Sequence, residues 1–145
     1  MGPDIPLRMY EKARANIRTI AGLLAVLESI ALVYFSVMPS LAVPGPGIPF
    51  LRPGDLMHFL GYMVYGFLLA TAFGSSRKNA MLMALLIGSG FGLFTESLQL
   101  FVPMRYMDFM DWVVNTAGAG TGGLLVAKTG ILGFCTEGTR QGNIV

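Results

Sequence analysis

The sequence predicts an all-α membrane protein, a polytopic bundle of four transmembrane helices, from three observations. First, of its 145 residues 54% are hydrophobic and only 12% are charged, whereas soluble domains carry roughly 25% charged residues. Second, four long runs, each close to the length of about 20 residues that crosses a bilayer, contain no Asp, Glu, Lys or Arg. Third, these runs are continuously apolar rather than alternating, which favours helices over barrel strands. The runs cover residues 29–51, 56–76, 79–95 and 112–127.

The breaks between these runs predict where each helix begins and ends. We expect helices at about residues 19–38, 56–74, 80–102 and 109–130, which together form one membrane domain over residues 19–132. Five of the eight prolines fall between the first two helices, which excludes a helix through that loop. Residues 1–18 are predicted as a basic lead-in at the membrane surface, and residues 133–145 as a cytoplasmic tail. Cleavage of a signal peptide after Ser40-Leu41-Ala42 is the alternative interpretation of the first apolar run.

The distribution of Lys and Arg predicts the orientation of the helices. Cytoplasmic loops of membrane proteins carry an excess of these residues. Placing both termini in the cytoplasm puts eight basic residues inside and two outside. We therefore predict an N-in, C-in topology. The inner residues are Arg8, Lys12, Arg14, Arg18, Arg77, Lys78, Lys128 and Arg140, and the outer ones are Arg52 and Arg105.

Polar residues gather at the three helix ends that this topology places on the extracytoplasmic side. At each end they recur at spacings of three or four residues, which puts them on one helix face. An ionisable residue inside a membrane costs several kcal/mol unless it is paired or reaches water. We therefore expect the three faces to meet. This predicted polar cluster, a candidate ligand-binding site, contains Asp55, His58, Tyr62, Glu96, Gln99, Arg105, Asp108, Asp111 and Asn115.

Individual members of the cluster admit a functional or a structural interpretation. Arg105 is the cation closest in sequence to the carboxylates, and its planar fork suits a carboxylate or a phosphate. His58 is either a proton-carrying group or a packing partner. Asp108 is able to cap the fourth helix, and Asn115 to join two helices by a hydrogen bond. We expect the buried carboxylate of Glu96 to be functional.

Neither a metal nor a catalytic group is assigned from the sequence. The carboxylates and the single imidazole of the cluster are ligands that a hard divalent cation would accept, but no spacing is diagnostic of a metal site. We therefore predict no metal and no cofactor. No Ser or Cys nucleophile lies beside His58, and Ser97 faces about 100° away from Glu96. The sequence thus favours a binding protein over an enzyme without excluding the latter.

Two stretches of the cluster resemble the VanZ-like family of small membrane proteins. The first is Asp55-x-x-His58-Phe59-x-x-Tyr62, although the Asp-Lys pair that family members often carry before the His is absent. The second, and more specific, is Glu96-x-x-Gln99-x-x-x-Pro103-x-Arg105-x-x-Asp108-x-x-Asp111-x-x-x-Asn115-x-x-Gly118. The resemblance implies a bacterial cytoplasmic-membrane protein. The family takes its name from a member associated with resistance to the glycopeptide teicoplanin.

These observations together predict a protein that binds an amphiphilic or lipid-linked molecule in a polar pocket of the outer leaflet. The alternatives are a membrane enzyme acting on a lipid phosphate or a glycan precursor, and a structural or transport module. In the enzyme, Arg105 would hold the anion while Glu96 or His58 moved a proton. Membrane lipids are the expected partners, and a homo-oligomer is compatible with the sequence. The net charge of +2 is too small to suggest nucleic-acid binding.

Overall fold

The computed structural model describes residues 5–38, 53–103 and 105–129. Within these ranges the chain is all-helical and contains no strand, which confirms the predicted all-α architecture with four helices. The helices are α1 (Ile5–Val37), α2 (Pro53–Phe73), α3 (Arg77–Gln99) and α4 (Phe109–Thr129). The predicted proline-rich loop and the predicted tail at residues 133–145 lie outside the described residues.

The ends of α1 and α3 differ most clearly from the boundaries expected from the sequence. Residues 5–18 of the predicted lead-in are helical and continuous with the first apolar run, so α1 is one helix of 33 residues. Helix α3 ends at Gln99, ahead of the expected residue 102. There Phe101 N bonds to Leu98 O at 3.1 Å and Val102 N to Gln99 O at 3.0 Å, so the chain tightens into turns before Pro103.

Three of the four helices are long and apolar enough to cross a membrane. The qualifying segments are Arg8–Val37, Gly54–Phe73 and Arg77–Gln99. Helix α4 has a comparable length of 21 residues, but four of them are glycine and its ends carry Asp111 and Lys128. Glycine contributes little apolar surface, so α4 falls short of the apolarity that the other three reach.

The bundle exposes large apolar side chains and buries small ones. On α1, Leu23, Leu27 and Ile30 are each more than 60% exposed. One cluster of the interior consists of Ala70, Ala80, Ala84 and Val126, packed against Phe67. This distribution is typical of a protein surrounded by lipid, where helices associate by close packing of small residues rather than by burying large apolar ones.

Helix α4 approaches α2 so closely that the two backbones touch. A Cβ atom added to Gly118 would overlap the Phe59 carbonyl of α2, and one added to Gly122 would overlap the Met63 carbonyl. On its other side α4 meets α3, where Gly88 leaves room for Ala119. Helix α4 therefore lies between α2 and α3, and its first turns are held beside the beginning of α2 and the end of α3.

At the opposite end of the bundle, Arg18 ties α1 to the end of α2. Its Nε donates to the Ala72 carbonyl at 3.0 Å, and its Nη2 donates to the Gly74 carbonyl at 3.0 Å. The last carbonyls of a helix have no partner within the helix, so these two bonds cap α2.

We expect Arg18→Gln to lower the free energy of unfolding by about 2 kcal/mol, because hydrogen bonds to a charged donor contribute about 1.5–3 kcal/mol. Reversible unfolding in mixed micelles, followed by circular dichroism, measures this value. Arg8→Gln is the matched control, since Arg8 is exposed on the same helix; it should change stability by no more than about 0.5 kcal/mol. Equal losses in both variants would contradict the capping role of Arg18.

Candidate functional site

Three helices meet at the predicted polar cluster through a chain of side-chain contacts. Asn115 of α4 lies between His58 of α2 and Glu96 of α3. Asn115 Nδ2 donates to Glu96 Oε1 at 3.3 Å, and Asn115 Oδ1 lies 3.0 Å from His58 Nδ1. An ionised carboxylate only accepts hydrogen bonds, so the amide NH₂ faces Glu96 and its oxygen faces His58. His58 Nδ1 then carries the proton and donates to Asn115.

The carboxylate of Glu96 is the most enclosed charged group of the cluster. Glu96 and Asn115 are both 0% exposed, and Glu96 Oε1 is 3.9 Å from His58 Nδ1. The backbone of Asp108 is close enough to stabilise the carboxylate, yet Oε2 has no hydrogen-bond partner of acceptable geometry among the described residues. A buried carboxylate oxygen without a partner is costly, which makes Oε2 the point of the cluster that most needs a ligand.

Asp111 completes a group of three potential ligands. One ring nitrogen of His58 and one oxygen each of Glu96 and Asp111 lie within 4.8 Å of one another. His58 and Asp111 are half-buried whereas Glu96 is buried, so the group lies between the bundle interior and the surface. Four residues that the sequence predicted for the cluster are thus together: His58, Glu96, Asp111 and Asn115.

Tyr62 and Gln99 belong to a second, adjoining polar network. Tyr62 OH donates to Thr95 Oγ1 at 2.6 Å, and Thr95 Oγ1 donates to the Gly92 carbonyl at 2.9 Å. Ser36 Oγ donates to the Thr95 carbonyl at 2.9 Å and lies 3.4 Å from Gln99 Nε2. Through Ser36 this network brings α1 to the same end of the bundle.

The contributions of Ser36 and Thr95 were missed by the sequence reasoning. A usable signal existed for Ser36, because Ser29 and Ser36 are seven residues apart in an apolar helix and therefore share a face. Ser29 also meets α2, with its Oγ 3.2 Å from Tyr65 OH. No comparable pattern indicates a role for Thr95, which directly precedes the charged Glu96 in α3.

Arg105 lies in the connection between α3 and α4 and contacts the end of α1. Its Nη2 donates to the Met38 carbonyl at 2.9 Å, while its buried Nε has no hydrogen-bond partner among the described residues. Its pairing with a carboxylate of the cluster stays a prediction. Asp108 accepts a bond from the Met110 N–H at 2.9 Å, which is the geometry of a helix N-cap. Asp55 is half-buried in the first turn of α2.

An open cavity of about 380 Å³ lies at the other end of the bundle. It is lined by Glu11, Arg14, Ala15, Arg18 and Ser75, between α1 and the turn that joins α2 to α3. This cavity is separate from the polar cluster, which lies at the opposite end of the bundle, near the start of α2 and the end of α3.

Comparison with known proteins gives one match. The family model described as VanZ/LLP1 matches residues 9–132, which is most of the chain and includes all the residues of the polar cluster. No curated protein matches the chain, and no solved structure matches it.

Proposed function

Because the chain belongs to the VanZ-like family of membrane proteins, we propose that it is an envelope protein that binds the headgroup of an amphiphilic or lipid-linked molecule at the polar cluster. The observation that carries this proposal is a pair of buried polar atoms. Glu96 Oε2 is an acceptor and Arg105 Nε is a donor, and neither has a partner among the described residues. Glu96 lies in the last turn of α3, and Arg105 follows in the connection to α4.

The carboxylate of Glu96 and the guanidinium of Arg105 indicate which chemical groups the ligand carries. An arginine side chain binds phosphate oxygens well, and a buried carboxylate accepts hydrogen bonds from hydroxyl or amino groups. A phosphate that carries a hydroxyl-rich or amino headgroup presents both kinds of partner, as phospholipids and lipid-linked glycan precursors do. The exposed apolar flanks of the helices would accompany the acyl or prenyl chain of such a molecule.

The proposal includes an orientation in the bacterial cytoplasmic membrane. The termini lie in the cytoplasm, and the polar cluster faces the extracytoplasmic side. Helix α4 serves as the fourth span and packs against α2 and α3. The excess of Lys and Arg on the opposite side supports this orientation. Ligands would then enter the cluster from the outer leaflet.

We expect Arg105→Gln to reduce the retention of phosphatidylglycerol about tenfold or more, because the variant loses a charge-assisted contact with the phosphate. The full chain is purified in mild detergent, exposed to micelles containing phosphatidylglycerol, and examined by native mass spectrometry for bound lipid. Arg77→Gln is the control, since Arg77 is an exposed cation at the other end of the bundle. Unchanged retention in Arg105→Gln, or an equal loss in Arg77→Gln, would argue against the proposed site.

The same site would connect the protein to envelope protection. In a teicoplanin-susceptible bacterium that gains tolerance on expressing the chain, Glu96→Ala and Arg105→Ala should remove that tolerance while the protein remains in the membrane fraction. Ser97→Ala provides the control, because the Ser97 hydroxyl donates to the Leu93 carbonyl of its own helix and to no other group of the described residues. Full tolerance with both cluster variants would contradict a role of this site in resistance.

A further inference from the structure

The group formed by His58, Glu96 and Asp111 has the composition and spacing of a cation site. Each residue comes from a different helix, and their potential ligand atoms lie within 4.8 Å of one another. A divalent transition-metal ion holds its nitrogen and oxygen ligands at about 2.0–2.2 Å, so two ligands of one ion are at most about 4.4 Å apart. The 3.9 Å between His58 Nδ1 and Glu96 Oε1 already falls within that limit. Because Nδ1 donates to Asn115 in the metal-free protein, an ion bound there would replace this hydrogen bond, and the imidazole would carry its proton on Nε2. Small side-chain rotations bring the third ligand into range.

A second and independent observation points to a ligand at this place. Glu96 is 0% exposed, and its Oε2 has no hydrogen-bond partner among the described residues. The other oxygen, Oε1, is held by Asn115, which also contacts His58. Asn115 thus orients two of the three ligands in advance while leaving Oε2 without a donor. A cation supplies the positive charge that a buried carboxylate oxygen requires.

We propose that His58, Glu96 and Asp111 bind one divalent cation of the manganese or zinc type. Two carboxylates neutralise the two charges of the ion, and the imidazole favours a transition metal over Mg²⁺ or Ca²⁺, which prefer oxygen ligands alone. Three protein ligands leave coordination positions for water or for an anionic oxygen. At Glu96 the ion would take the place of the headgroup donor of the proposed function, whereas Arg105 would remain available to a phosphate. Cation binding does not require a bound amphiphile.

The position of the three residues gives the ion access to water. His58 is five residues from the start of α2, Glu96 three from the end of α3, and Asp111 two from the start of α4. At a rise of about 1.5 Å per residue, all three lie within about 8 Å of their helix ends. His58 is 22% exposed, so the imidazole borders the surface through which an ion would arrive.

The test uses the purified full chain in detergent, stripped of metal with EDTA and titrated with Mn²⁺ alone. Electron paramagnetic resonance measures the free ion, and the expected result is one bound Mn²⁺ per chain that Zn²⁺ displaces. Glu96→Gln and Asp111→Asn should each weaken Mn²⁺ binding at least about tenfold. Mn²⁺ should also raise the thermal unfolding temperature of the wild type but not of these variants.

Glu28→Gln is the matched control, because Glu28 is a half-buried carboxylate on α1 that is outside the polar cluster and the group of three. It should bind Mn²⁺ as the wild type does. A folded wild type that retains neither Mn²⁺ nor Zn²⁺ would overturn the proposal, as would an equal loss in Glu28→Gln and Asp111→Asn. Arg105→Gln separates the two proposals, since it should lose phosphatidylglycerol and keep Mn²⁺.

Discussion

Replacing Gly122 by alanine is expected to lower the free energy of unfolding by about 3 kcal/mol. Its new Cβ would overlap the Met63 carbonyl and lie 2.5 Å from the Phe67 backbone nitrogen. These are atoms of a helix backbone, which rotation of a side chain cannot move aside. The two helices would have to separate, and overpacking of this kind costs about 1–3 kcal/mol, sometimes more.

A second glycine provides the control for that experiment. Gly90 lies in the interior of α3, and a Cβ added there would meet nothing within 4 Å. Gly90→Ala should therefore stabilise the protein by about 0.5–1 kcal/mol through its higher helix propensity. Both values come from reversible unfolding in mixed micelles. Gly122→Ala and Gly90→Ala with the same stability would show that α2 and α4 are not in backbone contact.

The second large effect is expected from Asn115→Leu, at about 3 kcal/mol of lost stability. Leucine has the branching of asparagine but neither donates nor accepts, so Glu96 Oε1 loses its donor and His58 loses its acceptor. A single side-chain hydrogen bond in a membrane contributes about 0.6–1.7 kcal/mol. Leaving a buried carboxylate without a donor adds about 1–3 kcal/mol, and more where the group stays charged.

A double-mutant cycle separates the loss of this hydrogen bond from a mere change in packing. Introducing Glu96→Leu together with Asn115→Leu removes both partners, and replacing both with apolar groups is much less costly than removing one. We expect the double variant to be more stable than the sum of the two single losses implies, by about 1–3 kcal/mol. Strict additivity would mean that Asn115 and Glu96 are energetically independent.

The number of helices could be predicted from the sequence because charges interrupt each apolar run. The extent of α1 could not, because the charges of residues 8–18 suggested a separate surface segment. Nothing in those residues breaks the backbone hydrogen bonding of a helix, however, so the two parts continue as one. The spacing of Gly118 and Gly122 also predicts close helix packing, and in the bundle these two glycines let α4 contact the backbone of α2.

The candidate site could also be predicted only in part from the sequence. Helical spacing was enough to put His58, Glu96, Asp111 and Asn115 on helix faces that meet. A polar group is costly inside a membrane unless it is paired or reaches water, so few packings of the helices are compatible with these residues. Spacing does not identify partners. Arg105 was assigned to the carboxylates on the basis of charge, yet its guanidinium also finds a backbone carbonyl at the end of α1. Such contacts depend on how distant segments come together, which a single sequence does not contain.

Helix α1 is attached to the bundle by polar bonds at two levels, at Arg18 near the middle of the helix and at Ser36 near its end. Arg18 bonds to the end of α2, and Ser36 bonds to the Thr95 carbonyl of α3. Arg18 and Ser36 are eighteen positions apart, which corresponds to about 27 Å of helix, close to the roughly 30 Å thickness of the hydrocarbon layer. Apolar contacts alone would permit α1 to slide or lean in membranes of different thickness. Two attachment points at this separation oppose such movement, so we expect the bundle to respond to a thinner or thicker membrane by tilting as a single body.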